Sequence, residues 1–144
     1  MTGRVVRAGL LYFALTFGAG FVLGPVRILW LVPRVGARVA ELLELPVMVF
    51  ISWLAARWVT RRLAVPPRTG PRLAMGALAG ALLLAAEFSL VLRLRGMTLE
   101  EYFATRDPVS GAAYYGAVVL LVLMPLLVSR TPGPTHLAPT SLRR

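Results

Sequence analysis

Long apolar runs alternate along this chain with short basic joints that carry proline and glycine. The clearest run is Leu73 to Leu92, LAMGALAGALLLAAEFSLVL, twenty residues with a single charge at Glu87. At about 1.5 Å rise per residue it matches the ~30 Å hydrocarbon core of a bilayer, which predicts a membrane-spanning helix. Three further runs have comparable length: residues 8–26, or 8–32 if the helix carries past Arg27, then 39–59, then 108–129. The pattern predicts an all-α fold, an integral membrane four-helix bundle, with residues 1–129 as one transmembrane domain. Residues 130–144 hold three prolines and no apolar periodicity, and are expected to form a disordered tail.

The joints predict shorter elements. From Pro33 to Leu45 the segment is amphipathic at helical spacing, with Arg34, Arg38 and Glu41 in mutual reach, as in a helix lying at the interface. Thr98 followed by Glu101 is a capping-box pattern that opens a second short helix, from about Leu99 to Arg106. Both outer loops are thus expected to carry a short interfacial helix. Asp107 and Pro108 then supply an N-cap and a first-turn proline for the fourth span. The middle joint, TRRLAVPPRTGPR, is stiff and too short to hold a catalytic domain.

Helical periodicity groups the chemistry. Gly76, Gly80 and Glu87 share one face of the third span, and Thr16, Gly20, Gly24 and Arg27 share one face of the first. Small-residue faces allow close helix approach, so these two are expected to meet and to form an Arg27–Glu87 ion pair. Glu44 and a tyrosine hydroxyl would complete its hydrogen bonds. The candidate cluster is Arg27, Glu41, Glu44, Glu87, Tyr114 and Tyr115, all near the outer leaflet by residue count. Arg27 lies within the first span if that helix reaches Val32, and is interfacial if it ends at Pro25. The run Gly18-Ala19-Gly20 with Gly24 has no preceding strand and only apolar neighbours, so helix packing outweighs a dinucleotide loop.

Composition narrows the chemistry. With 58% hydrophobic residues and a mean hydropathy of +0.74, the 144-residue chain is too apolar for an ordinary soluble domain. The absence of cysteine removes disulfides and thiolate chemistry, and the sole histidine, His136, lies in the tail. No cofactor and no metal are expected. The net charge of +10 comes from sixteen arginines that mostly flank apolar runs, which fits membrane topology better than nucleic-acid binding. Ten of them fall on the side shared by the amino end, the middle joint and the tail, against six on the other, so both termini are expected to be cytoplasmic. Arg57, Arg61, Arg62, Arg68 and Arg72 would face anionic lipid on that side. A signal peptide is disfavoured because the first apolar run outlasts an h-region.

The runs GPVRILWLVPRVGARVAELLELPVM (Gly24 to Met48) and RDPVSGAAYYG (Arg106 to Gly116) resemble those of small, uncharacterised four-span bacterial inner-membrane proteins. The resemblance covers most of the body outside the tail. It implies a bacterial plasma membrane and a helical bundle, brings no activity, and singles out Arg27, Arg34, Glu41, Glu44 and Asp107.

Three functions remain open on these grounds. The leading one is a structural, accessory or scaffold membrane protein whose charges fix helix packing. A second is a small oligomeric transporter or proton-coupled carrier that uses Glu87. A third is recognition of anionic lipid through the basic joint or the outer Arg/Glu cluster. An enzyme is the least supported, since only Glu41, Glu44, Glu87 and the tyrosines could move protons. Expected partners are membrane lipids, anionic on the cytoplasmic side, with further copies of the chain or a larger membrane complex, and no nucleic acid.

Overall fold

The protein is described here by a computed structural model covering residues 3–129; the expected disordered tail at 130–144 lies outside the described residues. Among the described residues the chain is helical throughout, with no strand. Helix α1 (Gly3–Val26) continues through a π-helical turn (Arg27–Leu31) into the single turn α2 (Val32–Val35). Then follow α3 (Ala37–Arg62), α4 (Thr69–Leu94), the short α5 (Leu99–Thr105) and α6 (Pro108–Ser129). Four segments are long and apolar enough to cross a membrane: Gly3–Val35, Ala37–Arg62, Thr69–Leu94 and Pro108–Val128. That points to a multi-pass membrane protein.

The helix boundaries have local causes. Neither Pro25 nor Pro33 can donate an amide to the preceding turn, and the chain between them widens into the π turn instead of breaking, with the Val32 amide donating to the Arg27 carbonyl. Arg27 therefore lies inside a continuous helical run. The break comes at Gly36, whose φ of 85° is a conformation side chains disfavour. Residues from Ala37 onward belong to α3, and Pro46 is accommodated inside it. The separate helix expected over Pro33–Leu45 is not formed, because Gly36 is the only interruption the segment contains and everything after it is continuous with α3. At the other joint the capping box forms as its sequence implies: the Glu101 amide donates to Thr98 Oγ1 and the Thr98 amide to Glu101 Oε2. Asp107 caps α6, accepting from the Ser110 amide at 2.9 Å.

The four long helices form a ring in the order α1, α3, α6, α4, so that α1 faces α6 across one diagonal and α3 faces α4 across the other. The main hydrophobic core lies at one end. Around the α3–α4 turn, small and medium side chains fill the centre: Val5, Ala8, Ala56, Val59, Met75 and Ala79 are all nearly inaccessible. Two glycines set the spacing there. A Cβ at Gly76 would sit inside the Val122 carbonyl, and one at Gly80 would lie 2.6 Å from Val122 Cγ2, so α4 and α6 meet almost backbone to backbone.

That contact overturns the expectation that the Gly76/Gly80 face meets α1. The α1–α4 contact is made elsewhere, with Gly9 against Leu78, while Gly20 looks toward Met48 of α3 and Gly24 has open space beside it. Periodicity places glycines on one face of a helix but carries no information about which neighbour covers that face.

Tyr12 crosses the α1–α6 diagonal. Pro125 has no amide to give the Leu121 carbonyl four residues earlier, and the fully buried Tyr12 hydroxyl donates to that carbonyl at 2.7 Å. Nearby, Arg72 donates to the carbonyls of Pro66, Val65 and Pro125, each at 3.2 Å.

Candidate functional site

Beyond Thr16 and Ser52 the ring is no longer filled, and a cavity of about 410 Å³ opens between the four helices. Its deep part is apolar, lined by Met48, Leu83, Val118, Leu121 and Met124. Its other part is charged: Arg27, Glu41, Glu44, Glu87 and Tyr114 all lie on its wall, with Arg95 at the end of α4. Tyr115 is not among the lining residues; its ring meets that of Tyr114 edge-on at 5.6 Å.

Ion pairs neutralise most of these charges. Arg27 lies 2.8 Å from Glu44 Oε2, with side chains 30% and 12% exposed, although the approach is not aligned as a hydrogen bond. Glu41 accepts from Arg106 at 2.7 Å, and the same guanidinium donates to the Tyr102 hydroxyl oxygen at 2.6 Å and covers the Tyr114 ring at 4.9 Å. Arg38 forks onto Asp107 with contacts of 3.0, 3.1 and 2.5 Å, joining the start of α3 to the start of α6. Arg38 thereby leaves its helix neighbours, and Arg34 stacks on Trp30, 4.1 Å from the ring centre. Beside Arg38 and the Ser110 amide, the Asp107 carboxyl is held well below the usual carboxylate range, at about 2.

Glu87 stands apart. Among the described residues three ion pairs form and none includes it. Its carboxylate accepts from the Tyr114 hydroxyl and otherwise faces the cavity. The Arg27–Glu87 pair expected from the two glycine faces is absent, and the reason is geometric: α1 stays against α3 at this level, which delivers Arg27 to Glu44, while the cavity separates it from α4.

The basic residues of the joint divide. Arg61, Arg62 and Arg68 are exposed, and Arg57 is half-exposed over the Trp53 ring. Arg72 is 8% exposed and is spent on three carbonyls, so it does not face lipid. Arg106 and Tyr102 belong to the charge network although periodicity did not select them, and Arg38 belongs to it through Asp107 and not through the helix neighbours its spacing suggested. The one available signal was the adjacent pair Arg106-Asp107 at a helix start, where opposite charges side by side can hold two different partners. Among the described residues no cluster of His, Asp and Glu could hold a metal ion.

No family model, curated protein or solved structure matches this chain. Its function is therefore argued from the cavity.

Proposed function

We propose that the chain is a small carrier of a bacterial inner membrane, in which Glu87 binds and releases a proton or cation within the central cavity. The observation that carries this reading is the contrast among three carboxylates on one wall. Glu41 and Glu44 each face an arginine, whereas Glu87 has a neutral hydroxyl and open space. Glu87 precedes the last residue of α4, Leu94, by seven positions, about 10 Å along the helix, a depth at which a carboxylate is costly unless it has work to do. The arginine count supports cytoplasmic termini, and with them a cavity that opens toward the opposite side of the membrane. Assembly with further copies would enlarge the pathway available to four spans, and the exposed Arg61 and Arg62 beside Trp58, with the exposed Arg68, suit contact with anionic lipid headgroups.

The experiment is proton flux into proteoliposomes under an imposed potential, comparing wild type with Glu87→Gln. Flux above the empty-vesicle rate that disappears in the variant is the expected result; equal rates in the two proteins would refute it. Reporter fusions at Arg68 and Arg106 should report opposite faces.

A second reading, an accessory or scaffold protein, draws on the three ion pairs that bind the α1 continuation, α3 and the α5–α6 segment together. On that reading the cluster fixes packing, and flux would be absent.

A further inference from the structure

We propose that the cavity takes a hydrophobic organic cation, with its positive centre on the Glu87 carboxylate and its apolar body against Met48, Leu83, Val118, Leu121 and Met124. The inference rests on the carrier reading in that both use Glu87, and it goes further by naming the class of ligand.

Charge selects the sign. On the wall, Arg27 is committed to Glu44, and Glu41 to Arg106, which leaves Glu87 as the inner charge without a counterpart. Arg95 is exposed and lies beyond the end of α4, so its charge sits at the rim and not in the depth. An anion would have to displace an existing ion pair, whereas a cation gains a desolvated carboxylate with no bond broken.

Donor number excludes a small inorganic ion. A calcium ion needs about six or more oxygen ligands; beside Glu87 the cavity offers the Tyr114 oxygen, while Glu41 and Glu44 are paired with arginines and the Thr16 and Ser52 hydroxyls lie toward its apolar end. A bulky ammonium or phosphonium carries its charge under hydrocarbon, needs no such shell, and gains from the apolar walls. Shape agrees with this chemistry. About 410 Å³ is in the range of small-molecule sites and far more than a proton requires. Two methionines give a deformable lining, and Phe17 and Phe21 of α1, tilted with ring centres 6.3 Å apart, add aromatic faces to it.

The test is equilibrium dialysis of the purified full chain in neutral detergent with tetraphenylphosphonium, using triphenylphosphine oxide as the uncharged control. Saturable binding of the cation is expected, with the neutral analogue bound far more weakly. Glu87→Gln should weaken the cation by about tenfold or more and leave the neutral compound unchanged. Gly20→Leu keeps Glu87 and fills space at a position where a Cβ would meet only Met48 Cε at 3.7 Å; it should weaken binding too. Cation affinity should fall with pH as protons compete for Glu87. The other groups around that carboxylate are Tyr114 of α6, Tyr102 of α5, Arg27 of the π turn, Glu41 and Glu44 of α3, Arg106 before α6 and Arg95 after α4, so the pH response should survive Glu41→Gln and vanish in Glu87→Gln.

Equal binding of the charged and neutral compounds, or undiminished cation binding by Glu87→Gln, overturns the inference. Glu87-dependent proton flux without cation binding overturns it while the carrier reading survives. Cation binding lost in Glu87→Gln without any flux in proteoliposomes leaves the site standing and refutes the carrier.

Discussion

Replacing Tyr12 by phenylalanine removes one oxygen atom from the tightest part of the bundle. The ring is fully buried and its hydroxyl lies 2.7 Å from the Leu121 carbonyl, which lacks the amide that Pro125 would otherwise supply. The substitution leaves the ring packing intact and strands a buried acceptor, a loss of about 1–3 kcal/mol in general. Hydrogen bonds between membrane helices measure lower, averaging about 0.6 and reaching about 1.7 kcal/mol, because the unfolded helices find other partners. Here proline removes the nearest alternative, so the upper part of the membrane range, about 1–1.7 kcal/mol, is expected. Pro125→Ala restores an amide to that turn. In its background the same Tyr12→Phe change should cost less than half as much, a coupling close to 1 kcal/mol. Unfolding in mixed micelles by added SDS, followed by circular dichroism, measures all four proteins. If Tyr12→Phe costs the same with proline or alanine at 125, the hydroxyl is not standing in for the missing amide and the account of this contact is wrong.

Gly76→Ala should destabilise by about 1–3 kcal/mol through overpacking against Val122, whereas Gly18→Ala, where nothing lies within 4 Å, should be neutral or slightly stabilising in the same SDS titration. Arg27→Met and Glu44→Gln should couple by about 1–2 kcal/mol, discounted for the part-exposed guanidinium, while Arg27→Met and Glu87→Gln should be nearly additive; the reverse order of couplings would restore the Arg27–Glu87 pair. Asp107 titrates lower when folded, at about 2 against an ordinary 3.8, so its contribution is complete above pH ~4 and fades as pH falls through 2. Thermal melts from pH 6 to 2 should therefore show a steeper acid loss for wild type than for Asp107→Asn, and parallel curves would remove the Arg38 contact from the account.

What could be read without the structure was what local rules govern. The four apolar runs, the capping box of Thr98 and Glu101, and the start of α6 at Pro108 after Asp107 all depend on residues within one or two turns of each other. The site depended on neighbours, and there periodicity failed in a definite way. Gly20, Gly24 and Arg27 were expected on one stripe, but helix order in the ring turns Gly20 and Arg27 toward α3 and leaves Gly24 on the cavity wall, and nothing local in the sequence encodes that order. Tyr12 and Leu121 are 109 positions apart, and a tyrosine in an apolar run carries no mark of the carbonyl it will meet. Arg72 resembled its neighbours in the basic joint because sequence records its charge, while its fate was set by three carbonyls that the turn and Pro125 leave exposed to it.

Those three bonds give the molecule a direction. At the end opposite Glu87, the Arg72 guanidinium is stitched to Val65, Pro66 and Pro125, and Tyr12 bolts α1 to α6 just inside it. The cavity is thus closed at that end. On the carrier reading, passage through the protein would require a second shape in which the stitched end parts, and the carbonyls released by Arg72 would then line the way out. On that reading Arg72 is a bolt and a threshold at once.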